Sequence, residues 1–224
     1  MATLATTTTS FIATKKDEDH RRSPKQSFVP TIEVVNKPMT RQTFGVGVYT
    51  GSLARHSGNP HGYGIMHYTT SGRIYEGMWA DGVWDGHGKW TARGGSCYEG
   101  EFRNGFRHGW GRQVQKGVVY EGEFVRDRRH GRGTLLTSDG SRYEGDFANG
   151  LQEGFGRVDF ARGGFYEGEW KNNMYWGHGI CIWPDGRMYQ GEFVANRSHG
   201  QGIEINPDGT IRHEGRWVTN KPAH

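Results

Sequence analysis

Residues 98–111 read YEGEFRNGFRHGWG, and this frame recurs through most of the chain. Tyr98 is followed by glycine two residues later, by Phe after four, and by glycines after eleven and thirteen. Six copies begin at tyrosines spaced 23, 22, 23, 23 and 23 residues apart, and all five positions hold in every copy. Such a fixed period predicts a stack of identical supersecondary units. The tyrosine, first glycine and ring positions of the predicted core are Tyr75, Gly77, Trp79, Tyr98, Gly100, Phe102, Tyr120, Gly122, Phe124, Tyr143, Gly145, Phe147, Tyr166, Gly168, Trp170, Tyr189, Gly191 and Phe193.

Two imperfect copies flank the six regular ones. The first contains Tyr49, Gly51 and Leu53 with a longer loop, and an eighth, partial copy runs from His213 to Trp217. The predicted array covers residues 45–218, with copies starting near 49, 75, 98, 120, 143, 166 and 189 and a partial one at 213. Residues 219–224 are assigned to a C-terminal tail. Irregular end copies are expected because terminal repeats have a neighbour on one side only.

The frame has the parity of a β-strand. With the tyrosine as position 0, the tyrosine, glycine and ring at 0, +2 and +4 share one face, and acidic residues at +1 and +3 share the other. Asp81-Gly82 and Asn104-Gly105 at +6 and +7 predict a hairpin turn, after which a second strand is expected to begin at the Gly-x-Gly pair. Asp139-Gly140 and Asp185-Gly186, like Asp208-Gly209, are predicted type I′ turns at its far end.

These elements predict an all-β protein, an elongated twisted antiparallel sheet or solenoid of consecutive β-hairpins. Two strands per repeat advance roughly 10 Å, so seven repeats reach on the order of 70 Å. The paired glycines should leave gaps in which the rings lie, forming a row of aromatics along one face or groove. We therefore expect Gly131→Val or Gly154→Val to destabilise the fold by more than about 1 kcal/mol.

The frame YEGEF, then N-G, then HG-x-G, then D-G resembles the MORN (membrane occupation and recognition nexus) repeat over about residues 45–218. The resemblance implies an assembly platform of the kind found in cytoskeletal, ciliary and membrane-contact structures. In some such proteins the repeats accompany a lipid kinase or methyltransferase domain. Here the repeats occupy the chain from residue 45, which predicts a non-catalytic scaffold without a cofactor.

Composition narrows the function further. Residues 1–44 carry seven Lys or Arg against four Asp or Glu, and the rest of the chain is nearly balanced, which argues against nucleic acid as a partner. These residues are predicted to form a disordered basic tail, in which the apolar run 28–35 is either a strand that caps the first hairpin or a docking peptide. Cys97 and Cys181 lack disulfide or zinc spacing. With no apolar run of about 20 residues, a cytoplasmic protein is expected, at the cytoskeleton, in a cilium or peripherally on a membrane.

Repetition argues against an active site or a metal site. His108, His130 and His199 each precede the first glycine of a pair, about 10 Å from one copy to the next, which is too far to share a metal ion. The imidazoles are expected to donate to the backbone there. The glutamate pairs at +1 and +3 recur in nearly every hairpin, and are therefore interpreted as an acidic stripe that faces Lys and Arg of neighbouring strands.

Three interfaces are predicted. The aromatic groove and the charged strand faces are expected to hold a protein partner, as an extended peptide or a helix. The C-terminal edge at His213 and Trp217 is a candidate surface for a homodimer, because a final strand invites pairing. Arg126, Arg128, Arg129 and Arg132 surround one hairpin loop and form a candidate site for an acidic peptide or a phosphoinositide headgroup, which makes acidic-phospholipid binding the alternative function.

Overall fold

The computed structural model describes residues 47–223, which form one 16-stranded antiparallel sheet in which each strand pairs with its neighbours in sequence. The predicted tail, residues 1–44 with the run 28–35, lies outside the described residues. The strands are β1 Gly47–Leu53, β2 Pro60–Tyr68, β3 Arg73–Ala80, β4 Val83–Thr91, β5 Cys97–Arg103, β6 Phe106–Gln115, β7 Val118–Val125, β8 Arg128–Leu136, β9 Arg142–Ala148, β10 Leu151–Asp159, β11 Phe165–Lys171, β12 Met174–Ile182, β13 Met188–Val194, β14 Arg197–Ile205, β15 Ile211–Val218 and β16 Lys221–Pro222. The prediction of an all-β stack of hairpins is confirmed.

Each repeat is one hairpin, but its second strand begins earlier than the sequence indicated. β6 starts at Phe106, three residues before Gly109, so the Gly-x-Gly pair lies inside the strand. The prediction that this pair opens the strand is wrong, because the chain is already antiparallel directly after the two-residue turn at Asn104-Gly105. The register shifts between Gly100 and Phe102, which marks a bulge at Gly109, opposite Glu101.

The two kinds of turn differ in backbone geometry. At Asn104-Gly105 both residues have positive φ, 52° and 81°, as a type I′ turn requires. At Asp139-Gly140 only the glycine does, with φ 93°, so the type I′ assignment is wrong there and in the matching turns that end in Gly186 and Gly209. The aspartate side chain stabilises these turns instead, since Asp139 Oδ1 accepts a hydrogen bond from the Ser141 N–H at 3.1 Å.

The core is a continuous row of rings on one side of the sheet, which we call the aromatic face. Tyr98 packs edge-on against Phe102 and Phe124, with both pairs of ring centroids 5.0 Å apart, and the same zigzag runs from Tyr49 to Trp217. The seven frame tyrosines are at most 1% exposed. Edge-to-face pairs of this kind add about 0.5–1.5 kcal/mol each beyond the burial of apolar area.

A further layer of side chains from position +9 covers this row. Trp84 stacks on Tyr75 with centroids 4.3 Å apart, and the guanidinium of Arg129 lies 4.9 Å from the centre of the Tyr120 ring. The ring row therefore lies inside the protein. The row of frame tyrosines in the expected aromatic groove is thus the core itself.

The C-terminal end continues the sheet past residue 218. Thr219 and Asn220 have positive φ, 53° and 64°, and β16 returns along β15 with Trp217 opposite Pro222. Residues 219–222 thus form a turn and a short strand in place of the predicted tail, and they cover one end of the outer edge of β15. A strand that is covered in this way has fewer free backbone groups for pairing.

Candidate functional site

The glycine pairs create bare backbone opposite the rings. Gly100 lies directly across from Gly111, and the Tyr98 ring lies flat on Gly111, where an added Cβ would come within 2.5 Å of two ring carbons. The Tyr98 hydroxyl donates to the Glu101 carbonyl at 2.9 Å. On the opposite side of the sheet, which we call the acidic face, the backbone of the same glycines lies between the side chains at +1 and +3, because successive strand residues alternate between faces.

The carboxylate at +3 has a specific role that sequence reasoning missed. Glu101 Oε1 accepts a hydrogen bond from the Trp110 N–H at 3.2 Å, and Glu169 Oε1 accepts one from the His178 N–H at 2.8 Å. Each carboxylate thereby satisfies a backbone N–H that the bulge removes from the ladder. The signal in the sequence is an acidic residue at +3 in five of the six regular copies, together with the bulge glycine at +11, where Gly109 has a φ of 61°.

The carboxylates at +1 behave as the sequence predicted. Glu121 pairs with Arg112 at 2.7 Å, and Glu99 pairs with Lys89 at 3.2 Å, in both cases across neighbouring strands. All four side chains are about half exposed, so these ion pairs contribute little to stability. Their effect is to keep a charged row on one side of the bare backbone.

A groove of about 1180 Å³ runs along the acidic face from β9 to β15. Its floor is the backbone of the paired glycines, from Gly145 to Gly215. One wall consists of residues at +1 and +14, among them Ile180 and Ile203, and the other of residues at +12, among them Phe155. The lining residues are Arg132, Glu144, Gly145, Phe155, Gly156, Arg157, Asp159, Glu167, Gly168, His178, Gly179, Ile180, Gln190, Gly191, Gln201, Gly202, Ile203, Glu214 and Gly215.

The most exposed rings of the described residues lie in the +12 row. Tyr63, Trp110 and Phe155 are 56%, 57% and 63% exposed, and they occur in alternate hairpins. A core would bury rings of this size, and exposed rings in a row are typical of binding surfaces. The sequence patterns described above assign no role to these three rings, because the alternation of faces was not extended into the second strand of each hairpin.

The four candidate arginines do not form one cluster. Arg129 covers Tyr120 on the aromatic face, and burial lowers the pKa of its guanidinium. Arg132 points to the acidic face, where it binds Asp146 at 3.3 Å. Arg126 and Arg128 are exposed at the hairpin tip. Residues that are close in sequence are separated here because successive strand residues alternate between faces.

The histidines occupy repeated positions, and their main chain makes the repeated contacts. The carbonyl of His130 accepts a hydrogen bond from the Tyr120 hydroxyl at 3.5 Å, and that of His199 accepts one from Tyr189 at 3.3 Å. The expected donation by the imidazoles is replaced by these carbonyl contacts. Among residues 47–223 no three His, Cys, Asp or Glu side chains are grouped to hold a metal ion.

The predicted C-terminal interface residues belong largely to the core. Trp217 is 3% exposed, and its indole N–H donates to the Gly202 carbonyl at 3.1 Å. His213 takes the place of the tyrosine in the eighth copy, with its ring 5.1 Å from that of Trp217. Beside them the buried carboxylate of Glu204 accepts hydrogen bonds from Arg187 at 3.1 Å and Arg212 at 2.7 Å. Trp217 is therefore the buried last ring of the row and not an exposed residue of the sheet edge.

Consecutive hairpins that share one buried row of rings define a β-hairpin repeat protein. Its other face, the acidic face, carries the groove. The chain belongs to the MORN repeat family: the family model matches residues 56–73, 75–97, 98–113, 120–142, 143–165, 166–186 and 189–211. These seven segments confirm the resemblance and cover more than half of the sequence. In the part of the chain that is described, no helix has the length and apolarity needed to cross a bilayer.

Two solved structures were also found to be similar. One is the TCP domain of SAS-4 from Drosophila melanogaster in complex with a proline-rich motif of Ana2, at 13% identity and a TM-score of 0.42, covering 69% of this chain and 85% of that one. The other is a mutant TCP10 domain of Danio rerio CPAP, at 11% identity and a TM-score of 0.24, covering 83% and 99%. Scores this low do not establish a common fold, and neither match bears on what this protein binds.

Proposed function

We propose that this protein is a non-catalytic scaffold that holds a protein partner in the groove of its acidic face. The observation that carries the proposal is the groove itself, a continuous channel of about 1180 Å³ with a backbone floor and exposed Phe155 on its wall. Polypeptide partners recognise such concave, partly apolar surfaces. On the aromatic face a second cavity of about 880 Å³ lies at the C-terminal end, beside Tyr175 and Trp217, whereas the frame tyrosines along the rest of that face are buried.

The repeated geometry of the groove supports binding over catalysis. Phe155, His178 and Gln201 occupy one position in successive hairpins, and Ile180 and Ile203 occupy another. An active site needs a nucleophile, an acid or a base brought together at a single place. Side chains that recur with the repeat suit a surface that contacts a long partner at many points.

Photo-cross-linking in cells that express the protein tests the proposal. A photoreactive phenylalanine analogue at Phe155 samples the groove, and the same analogue at Phe106, which is 48% exposed and lies outside the groove, is the matched control. We expect a discrete protein adduct from Phe155 and none from Phe106. Equal adduct patterns from the two positions would contradict a binding role for the groove.

The family suggests where such a scaffold works. We propose, together with the scaffold role, that the protein takes part in an assembly at the cytoskeleton, in a cilium or at a membrane. This part of the proposal rests on family membership and not on geometry. The acidic-phospholipid alternative retains Arg126 and Arg128 at the hairpin tip, since Arg132, although exposed, is paired with Asp146 on the acidic face. Two arginines contribute about 1 kcal/mol each near an anionic surface, which is too little for stable anchoring.

A homodimer through the C-terminal end would rely on the outer edge of β15, which β16 covers at Trp217 and Val218. The Ala223 N–H also donates to the Arg216 carbonyl at 2.8 Å, so the part of β15 that could pair with a second copy runs from Ile211 to Gly215. Sedimentation of the purified chain at micromolar concentration tests this proposal, and a strict monomer would exclude it.

A further inference from the structure

The dimensions of the groove restrict the conformation of its occupant. Its glycine floor spans six strand steps from β9 to β15, about 29 Å at 4.8 Å per step. The groove is open to solvent along this length, so the repeat of its walls, and not its width, selects the conformation of an occupant. An α-helix presents the same side about every 5.4 Å, which does not match a step of two strands.

The period of the groove distinguishes between extended conformations. Equivalent wall positions recur every second strand, about 9.6 Å apart. A polyproline II helix turns once in three residues and rises 3.1 Å per residue, so it presents the same side every 9.3 Å or so. A β-strand presents the same side about every 6.7 Å and falls out of register after one hairpin. Three hairpins, with Phe155, His178 and Gln201 on one wall, therefore match about nine residues of polyproline II.

The chemistry of the walls indicates which polyproline II segment would bind. Exposed rings on a groove wall are surfaces on which proline rings pack, as in other polyproline II sites. The lining contains four carboxylates, those of Glu144, Asp159, Glu167 and Glu214, against two arginines. Both arginines already bind carboxylates: Arg157 contacts Asp159 at 2.8 Å and Glu167 at 3.1 Å, and Arg132 contacts Asp146. The groove thus has an excess of negative charge for a basic segment.

We propose that the acidic-face groove binds a basic, proline-rich segment of a partner protein in the polyproline II conformation, with one turn of the segment per hairpin. This inference rests on the proposed function and specifies the chemistry of the partner. The prolines keep the segment in the bound conformation before it binds, which lowers the entropic cost of binding. Lys or Arg at every third position would then face the +1 wall, which carries Glu144, Glu167 and Glu214 with the neutral Gln190 before the last.

Fluorescence anisotropy with the full chain and labelled nine-residue peptides tests this proposal. The probe is three repeats of Pro-Pro-Arg; three repeats of Gly-Ser-Arg keep the charge without the conformation, and three repeats of Pro-Pro-Glu keep the conformation with the charge reversed. We expect the first peptide to bind at least tenfold more tightly than either control. Equal binding of Gly-Ser-Arg would overturn the conformational part of the proposal, and equal binding of Pro-Pro-Glu would overturn the charge part.

Matched variants locate the binding. Gln190→Trp fills the groove at position +1, and Glu99→Trp places the same ring at position +1 outside the groove lining. We expect at least a tenfold loss of Pro-Pro-Arg affinity for Gln190→Trp and no more than a twofold change for Glu99→Trp. Should Gln190→Trp not fold, as judged by circular dichroism, Glu144→Lys serves in its place with the same expected direction. Unchanged affinity in a folded groove variant would overturn the proposal.

Two further results separate this inference from the scaffold role. If no proline-rich peptide binds while Phe155 still cross-links to a protein, the scaffold role stands and the proposed partner chemistry is wrong. A peptide of residues 20–30, HRRSPKQSFVP, is also basic and contains two prolines. Binding of that peptide as tightly as Pro-Pro-Arg would assign the groove to a segment of this same chain, and would overturn the separate partner.

Discussion

Placing a methyl group beneath one buried tyrosine tests the packing of the whole array. In Gly156→Ala the new Cβ would lie 2.6 Å from both Cε2 and Cζ of Tyr143, closer than any real carbon contact. The ring must move, which costs about 1–3 kcal/mol of overpacking. Its movement also weakens the hydrogen bond from the Tyr143 hydroxyl to the Asp146 carbonyl, 2.9 Å long and worth about 1 kcal/mol. We expect a total loss of about 2–4 kcal/mol.

The matched control is Gly163→Ala in a surface turn. Gly163 has a φ of 94°, and a Cβ there would meet no heavy atom within 4 Å. Its cost is backbone strain alone, about 1 kcal/mol. Urea unfolding followed by far-ultraviolet circular dichroism compares the two variants with the parent chain. Because repeat arrays can unfold in stages, the midpoints are compared before any free energy is extracted.

A double-mutant cycle identifies the cause of the loss. In a Tyr143→Ala background the ring is gone, and Gly156→Ala should then cost less than about 1 kcal/mol, which gives a coupling of about 1.5–3 kcal/mol. Additive losses would show that the ring and the glycine do not interact, and the same stability for Gly156→Ala and the parent chain would refute the packing described here. Tyr143→Ala alone is expected to cost about 3–5 kcal/mol, as for other buried rings.

The other expectations concern strain, thiol access and alkaline pH. Gly131→Val should destabilise by more than about 1 kcal/mol in the same urea assay, because Gly131 has a φ of 54° and its Cβ would lie 2.5 Å from Glu123 carboxylate atoms, so a parent-like midpoint would count against it. Burial raises the pKa of the Cys181 thiol to about 11, so iodoacetamide should modify Cys97 at least tenfold faster in the native protein, and equal rates would place Cys181 at the surface. Burial also raises the pKa of Tyr120 to about 12, so its stabilising effect is complete below the ordinary value of about 10 and is lost as the pH rises toward 12. Phenolate absorbance should rise together with loss of the sheet signal, and noncooperative titration near pH 10 would be inconsistent with a buried ring row.

The sequence predicted the fold well because two patterns agree in it, the alternation of residues within each strand and the 23-residue repeat. The alternation of Tyr98, Gly100 and Phe102 identifies a half-buried strand, and Asn104-Gly105 locates the turn, so one repeat defines one hairpin. The 23-residue period then extends this assignment to the whole array. Packing follows as well, since a ring and a glycine on the same strand face leave the ring free to lie on bare backbone.

The candidate site was harder to predict, because it depends on pairing between strands. The bulge at Gly109 shifts the register by two residues, and only the paired strands show that Glu101 accepts a hydrogen bond from the Trp110 N–H. Trp110 and Phe155 could not be separated from the core rings without that register. Trp217 looked like an exposed edge, although the turn at residues 219–220 and β16 enclose it. The groove arises from the arrangement of many hairpins and has no local signature.

Because every strand pairs only with its sequence neighbours, adding or removing one hairpin requires no change in the path of the chain elsewhere. Duplication of a 23-residue segment would insert about 10 Å of sheet and leave both ends intact. The length of the array therefore changes only in steps of one hairpin. A partner that contacts a given number of hairpins would make its full set of contacts only with an array that contains at least that number.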